Sequence, residues 1–189
     1  ASFFTPVGLA QEFFLHVGGK RLIDLCAGIG VLSFVKYHFS HHKPEITCIE
    51  RCQEFVDVGR KLLPEATWIC GDVFDESLIK SLGTFDCVYA NPPFGNIKSD
   101  KDCTWLGYTG SIAEYKVIAV GKHLSGNGTF IVPQTSVPFK YSGEIQYTPN
   151  PSQKYDSFHK QTGIELEMNC GCDISSYKND WIGASMVAE

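Results

Sequence analysis

No apolar run in this sequence approaches the eighteen or so residues that a membrane-spanning helix requires, so no span and no membrane partner are expected. No basic segment leads into an apolar stretch near the start, so nothing reads as a secretory signal. The chain opens Ala1-Ser2 without a methionine, which reads as a processed end, a tag scar or an excised piece. Net positive charge is missing too: 16 Lys and Arg against 21 Asp and Glu leave a formal charge of -5. That excludes the broad electropositive field of an autonomous duplex binder and leaves any grip on nucleic acid to a local patch or a partner subunit. Paired cysteines at zinc-knuckle spacing are absent as well. Cys48 and Cys52 come nearest, and Cys170-Gly171-Cys172 is too tight, so the eight cysteines read as structural or surface thiols, with no metal expected, in a reducing, cytoplasmic compartment.

What is present is ordinary globular usage, 43% hydrophobic and 20% charged over 189 residues, enough for a single catalytic domain spanning 1–189 without a separate recognition module. Apolar runs of four to seven residues alternate with amphipathic stretches of ten to thirteen, the pattern of an α/β, Rossmann-like doubly wound sheet. Thr5-Pro6 reads as an N-cap and first helical residue, with Leu9, Phe13, Phe14 and Val17 on one face and Gly18-Gly19 as the stop. Strands are expected at Arg21 to Leu25, Glu45 to Glu50, Ala66 to Cys70, Phe85 to Ala90, Gly128 to Pro133, Ile164 to Met168 and Trp181 to Ala188. Helices are expected at Val31 to Phe39, Gln53 to Leu63, from a Ser111 cap to His123, and from a Ser152 cap to Gly163. His38, His41 and His42 read as satisfying the last carbonyls of the second helix.

Asp24-Leu25-Cys26-Ala27-Gly28-Ile29-Gly30 lies where the first strand passes into a helix. Glycines there let a backbone approach a ligand, and the free N–H groups of a helix start can meet an anion. Ser33 stands where a dinucleotide fingerprint places its third glycine, which disfavours hydride chemistry. Glu50 closes the second strand twenty residues after Gly30, where an acid can accept from both ribose hydroxyls. Asp72 closes the third, where it can take an adenine amino group while Val73 or Phe74 packs on the ring.

Asn91-Pro92-Pro93-Phe94, at the end of the fourth strand, carries the sharpest chemistry. An exocyclic amine on an aromatic ring is a poor nucleophile because its lone pair is delocalised. Two acceptors, the Asn91 side-chain oxygen and the Pro92 carbonyl, favour a more tetrahedral nitrogen whose lone pair is aimed at the incoming carbon. Consecutive prolines fix the backbone that presents the second acceptor. Phe94 can stack on a base, worth about 1 to 3 kcal/mol.

With these motifs the chain resembles the class I S-adenosylmethionine-dependent methyltransferases, and within them the group that methylates N6 of adenine. The resemblance implies a seven-stranded sheet with an antiparallel last strand. Phe4, Thr5 and Pro6 resemble the segment that contacts the methionine end of the cofactor. Asp24, Cys26, Ala27, Gly28 and Gly30 resemble its main loop, Glu50 with Arg51 the ribose position, and Asp72, Val73 and Phe74 the adenine position. Asn91, Pro92, Pro93 and Phe94 resemble the catalytic motif, with Asn91 also beside the cofactor. The implied activity is methylation of adenine in nucleic acid, DNA favoured, with RNA as the alternative.

Two departures point to substrate selection elsewhere. Leu25-Cys26 stands where many DNA enzymes carry a proline, and no segment forms a target-recognition domain. The loops Gly95 to Gly110 and Gln134 to Pro151 are expected to serve instead, through Trp105, Tyr108, Phe139, Tyr141 and Tyr147 with Lys98, Lys101 and Lys140. Protein glutamine methylation and a catalytically idle cofactor-binding subunit remain open; Phe94 stands against the former. Cytosine C5 methylation lacks its nucleophile, since no Pro-Cys occurs.

Overall fold

The computed structural model describes residues 4–97, 99–167, 173–177 and 180. In chain order the elements are α1 (Val7–Phe13), β1 (Arg21–Leu25), α2 (Val31–Phe39), β2 (Glu45–Glu50), α3 (Gln53–Leu62), β3 (Thr67–Cys70), α4 (Glu76–Ser81), β4 (Cys87–Ala90), α5 (Ala113–Lys122), β5 (Gly128–Phe130), β6 (Phe139–Lys140), β7 (Thr148–Pro149) and α6 (Gln153–Thr162). Short 3-10 turns occupy Phe14–His16, Thr104–Leu106, Gln134–Ser136 and Ser175–Tyr177. None of the described helices is long and apolar enough to cross a membrane.

Five strands form one sheet in the order β3-β2-β1-β4-β5, every neighbouring pair parallel. Because side chains alternate across a strand, each strand feeds two cores. Leu22, Ile46, Cys48, Cys87 and Tyr89 face α1, α2 and α3, whereas Ile23, Leu25, Ile49, Val88 and Ala90 face α5 and α6. With both faces covered, the strands read as continuous apolar runs instead of alternating ones.

The sheet departs from the expected seven strands. Phe139–Lys140 and Thr148–Pro149 pair antiparallel as a separate two-stranded hairpin. Residues Ile164 to Glu167 form no strand, because α6 satisfies their backbone: the Tyr155 hydroxyl accepts from Leu166 N at 3.1 Å, and a His159 ring nitrogen bonds the Ile164 carbonyl at 2.8 Å. Met168 and the expected last strand, Trp181 to Ala188, lie outside the described residues.

Local details correct several end assignments. Pro6 takes the N-cap position of α1, since the Thr5 hydroxyl accepts from Asn91 instead of capping the helix. Ile112, not Ser111, precedes α5, and the Ser111 hydroxyl bonds Asn96 Oδ1 at 2.8 Å. At the end of α2 the Lys43 ammonium donates to the carbonyls of Tyr37, His38 and Ser40 at 3.0 to 3.2 Å, the role expected of the histidines. His38 instead lays its ring on Phe34, with centroids 4.3 Å apart. The Ser152 cap on α6 is present, its hydroxyl accepting from Tyr155 N. Helix α4, unforeseen, is capped by Asp75, which accepts from Ser77 N and Leu78 N. Of the described thiols, Cys48 and Cys87 are buried in the core and Cys70 is exposed, all free.

Candidate active site

The strand order reverses direction between β1 and β4, so the loops leaving their carboxyl ends diverge and open a crevice, the usual ligand position in an open α/β sheet. Into it the chain delivers Cys26–Ile29 from the loop after β1, Asn91 from the end of β4, and Phe4 and Thr5 from the segment before α1; these line one narrow cleft together with buried Asp24. Asn91 Nδ2 donates to Thr5 Oγ1 at 3.1 Å.

The glycine loop is tied down before any ligand arrives. Ala27 N donates to the Ile49 carbonyl at 2.9 Å and Gly30 N to the Ala27 carbonyl at 2.8 Å. Cys26 holds a left-handed backbone, φ 63°, rare for a side-chain-bearing residue. Gly30 is also left-handed, φ 89°, and a Cβ there would stand 2.7 Å from the Trp68 ring; its lack of a side chain is needed for packing as much as for a ligand. Glu50 accepts from Gly28 N at 2.9 Å and from Cys52 N at 2.8 Å, tying the β1 loop to the end of β2. The spare lone pairs of a carboxylate remain available for further donors.

Asp72 lies two residues beyond the end of β3, its Oδ1 accepting from Phe74 N at 2.9 Å and its Oδ2 facing the Arg51 guanidinium at 3.8 Å. Val73 and Phe74 are buried in the core on that side. Pro92 is buried, Pro93 is exposed, and Phe94 is half-buried against the core cluster that contains Leu9 and Tyr89.

Asp24 is 1% exposed. Its Oδ2 accepts from the Ser33 hydroxyl at 2.6 Å; Ser33 Oγ also bonds the Tyr89 hydroxyl at 2.8 Å and accepts from Cys48 Sγ at 3.3 Å. Asp24 Oδ1 is buried and has no hydrogen-bond partner among the described residues. Burial pushes the Asp24 carboxyl up to about 8, against the Ser33 hydrogen bond that lowers it, with the Glu50 charge adding to the rise. Burial also raises Cys26, Cys48 and Tyr89 above their ordinary values.

Two buried polar side chains beside the site escaped the sequence reading. Ser33 was legible only as the missing third glycine, although a hydroxyl one turn into a helix that follows a buried acid is a signal in itself. Glu114, 2% exposed, joins two loops beside the site: Gly95 N donates to its Oε2 at 2.8 Å and Ser136 Oγ to its Oε1 at 2.7 Å. Its signal was a lone carboxylate in the apolar stretch Ala113 to Val120.

Most of the loop aromatics expected to face a strand pack inward. Tyr108 and Phe139 are buried, Trp105 and Tyr147 are half-buried against the same core, and Tyr141 stacks on Tyr147 with centroids 4.1 Å apart. The Lys101 ammonium bonds Asp75 Oδ2 at 3.1 Å, Lys140 is exposed, and Lys98 lies outside the described residues.

The methyltransferase small domain family matches residues 9–132, from α1 through β5. This chain belongs to that family. Among solved structures this chain is similar to a candidate RNA methyltransferase from Pyrococcus horikoshii, at 24% identity and TM-score 0.55, over 70% of this chain and 63% of that one. A Thermoplasma acidophilum protein shares 17% identity at TM-score 0.50, over 68% and 61% of the two chains. An O-methyltransferase from Bacillus cereus shares 13% at TM-score 0.50, over 71% and 60%. This chain thus spans about three fifths of the length of those structures, and the likeness is one of fold. No curated protein matches the sequence.

S-adenosylmethionine is the cofactor of this chain. The site fits it: among the described residues no donor meets the buried Asp24 Oδ1, in a cleft between the glycine loop and Asn91, and the cofactor is a cation that carries an ammonium group.

Proposed function

We propose that the chain methylates the N6 amino group of adenine in nucleic acid, DNA favoured. The observation that carries this reading is the placement of Asn91 at the mouth of the cofactor cleft, at the end of β4, with its amide nitrogen committed to Thr5. The carboxamide oxygen is then the end presented to a substrate. It accepts one N–H of the amine while the Pro92 carbonyl, fixed by two prolines, accepts the other. Both bonds strengthen as the nitrogen becomes tetrahedral, so they favour the transition state over the ground state. The bound cofactor supplies an electrophilic methyl group on a sulfonium; no general base is required, because the amine loses its proton after it has become cationic. Phe94, three residues after Asn91 and half-buried, offers the open part of its ring to the extruded base.

Since most loop aromatics serve the core, target selection in this reading rests on a partner subunit together with the exposed remainder of the two loops. RNA adenine is the second substrate of the same chemistry.

The deciding experiment incubates the protein with methyl-labelled S-adenosylmethionine and unmodified DNA, RNA or protein, followed by digestion and mass analysis. Label in N6-methyladenine supports the proposal. Label in glutamine, or cofactor binding with no transfer to any substrate, overturns it.

A further inference from the structure

We infer that Glu114 is a positioning residue that holds the catalytic Asn91-Pro92-Pro93-Phe94 segment in register with the loop after β5; this rests on the reading of that segment as the acceptor site.

A carboxylate 2% exposed in an otherwise apolar helix is costly unless its oxygens are hydrogen-bonded. Glu114 meets that demand with one donor from each of two loops. Oε2 takes Gly95 N, immediately after Phe94, and Oε1 takes Ser136 Oγ, in the turn after β5. The same first turn of α5 grips the other side of Gly95, whose carbonyl accepts from Ala113 N at 2.7 Å. Ile97 N then donates to the Ser111 carbonyl at 3.0 Å, and Asn96 bridges Ile112. Gly95 itself stands at φ 80°, the left-handed turn that swings the chain from the diproline onto the helix. Ser136 is anchored independently, its N donating to the Pro133 carbonyl and its carbonyl accepting from the buried Tyr115 hydroxyl at 2.7 Å. One side chain thus ties a rigid point on the β5 side to the residue that follows the catalytic motif.

The diproline stiffens the motif internally but does not fix where it points. Its upstream end is held by β4, and its downstream end by Gly95. If the Glu114 link is lost, Gly95 keeps its carbonyl bond to Ala113 N but its amide and its tie to the β5 side are released, and a displacement of about 1 Å at a reacting centre costs on the order of 100-fold in rate. Cofactor binding draws on the loop after β1, which Glu114 does not touch.

The test compares wild type, Glu114→Gln and Ser136→Ala in three measurements. These are amide hydrogen exchange of the 91–97 segment, affinity for S-adenosylhomocysteine by calorimetry, and kcat and KM for labelled-methyl transfer to an adenine oligonucleotide. Glu114→Gln keeps the shape but leaves one acceptor oxygen, so Gly95 N and Ser136 Oγ no longer both donate to a carboxylate. It is expected to speed exchange at 91–97 and lower kcat about 100-fold. Cofactor affinity and cofactor KM should stay within about threefold, because the β1 loop is untouched. Ser136→Ala removes one of the two links and should lower kcat about tenfold; it also decides the matter if Glu114→Gln does not fold. Unchanged exchange at 91–97, or a variant with wild-type kcat, overturns the inference. Wild-type protein inactive on adenine overturns the substrate reading instead, and the exchange result still decides whether Glu114 positions the segment.

Discussion

Asn91 and Thr5, 86 positions apart, are joined by a 3.1 Å hydrogen bond from the side-chain amide nitrogen to Oγ1. The bond couples the segment before α1 to the end of β4, the two walls of the cleft. It also decides which end of the carboxamide faces outward, so the orientation of the proposed catalytic acceptor depends on a residue of the cofactor side.

Replacing Asn91 with Ala should reduce methyl transfer about 100- to 1000-fold, the scale for losing one preorganised partner of a developing charge. Affinity for S-adenosylhomocysteine should change little. Thr5→Val, isosteric but without the hydroxyl, should lower kcat by about fivefold, the worth of one ordinary hydrogen bond. Labelled-methyl kinetics and calorimetry check both, and transfer undiminished in Asn91→Ala would remove the residue from the chemistry.

Asp24 predicts a specific pH response. Its folded value of about 8 lies above the ordinary 3.8, so between those pH values the folded state holds a proton that the unfolded state has lost. The contribution to stability is full below about pH 4, declines as pH rises and levels off above about 8. A cationic cofactor favours the ionised form, so binding should release a proton and tighten as pH approaches 8. Calorimetry in two buffers of different ionisation enthalpy measures that proton directly. Asp24→Asn should abolish both effects; equal heats in the two buffers for wild type would rule out the linkage.

Gly30→Ala should destabilise the fold by about 2 to 4 kcal/mol, combining a left-handed backbone with an overpacked contact. The Cβ would meet Trp68 at 2.7 Å, and that ring has no slack, because it also covers Gly59 and donates through its indole nitrogen to the Leu63 carbonyl at 3.0 Å. Denaturant unfolding reads the loss, and wild-type stability in the variant would show that the loop can rearrange around Trp68.

Ser33→Ala should be more damaging than a surface serine, by about 2 to 3 kcal/mol, since it strips partners from buried Asp24 and Tyr89 at once. Pairing it with Tyr89→Phe in a double-mutant cycle should give a clear coupling energy. Strict additivity would mean the network contributes nothing beyond its separate bonds.

Where local chemistry dominates, the sequence was transparent. Val31–Phe39 and Glu45–Glu50 fall where the apolar period and turn residues put them, because a parallel sheet buried on both faces leaves unbroken apolar runs. The Asn-Pro-Pro-Phe motif was legible because two prolines at a strand end have few other structural uses. The Ile164 to Glu167 run misled for a related reason: alternating apolar residues fit a strand, but the Tyr155 hydroxyl and the His159 ring satisfied its backbone first. The loop aromatics were ambiguous in principle, since composition does not say whether a ring packs inward or stands in solvent.

By itself, then, the sequence determined the order of β1 to β5 with α1, α2, α3, α5 and α6, the glycine turn after β1, the acid that ends β2, the acid that follows β3, and the diproline after β4. Each of these is set by residues close together in the chain. Only the tertiary structure decided that Thr5 orients Asn91, that Ser33 leaves one Asp24 oxygen unpartnered, and that Glu114 ties Gly95 to Ser136. These links join residues 9 to 86 positions apart, and a hydrogen bond of that kind exists only once packing has brought its donor within about 3 Å of its acceptor.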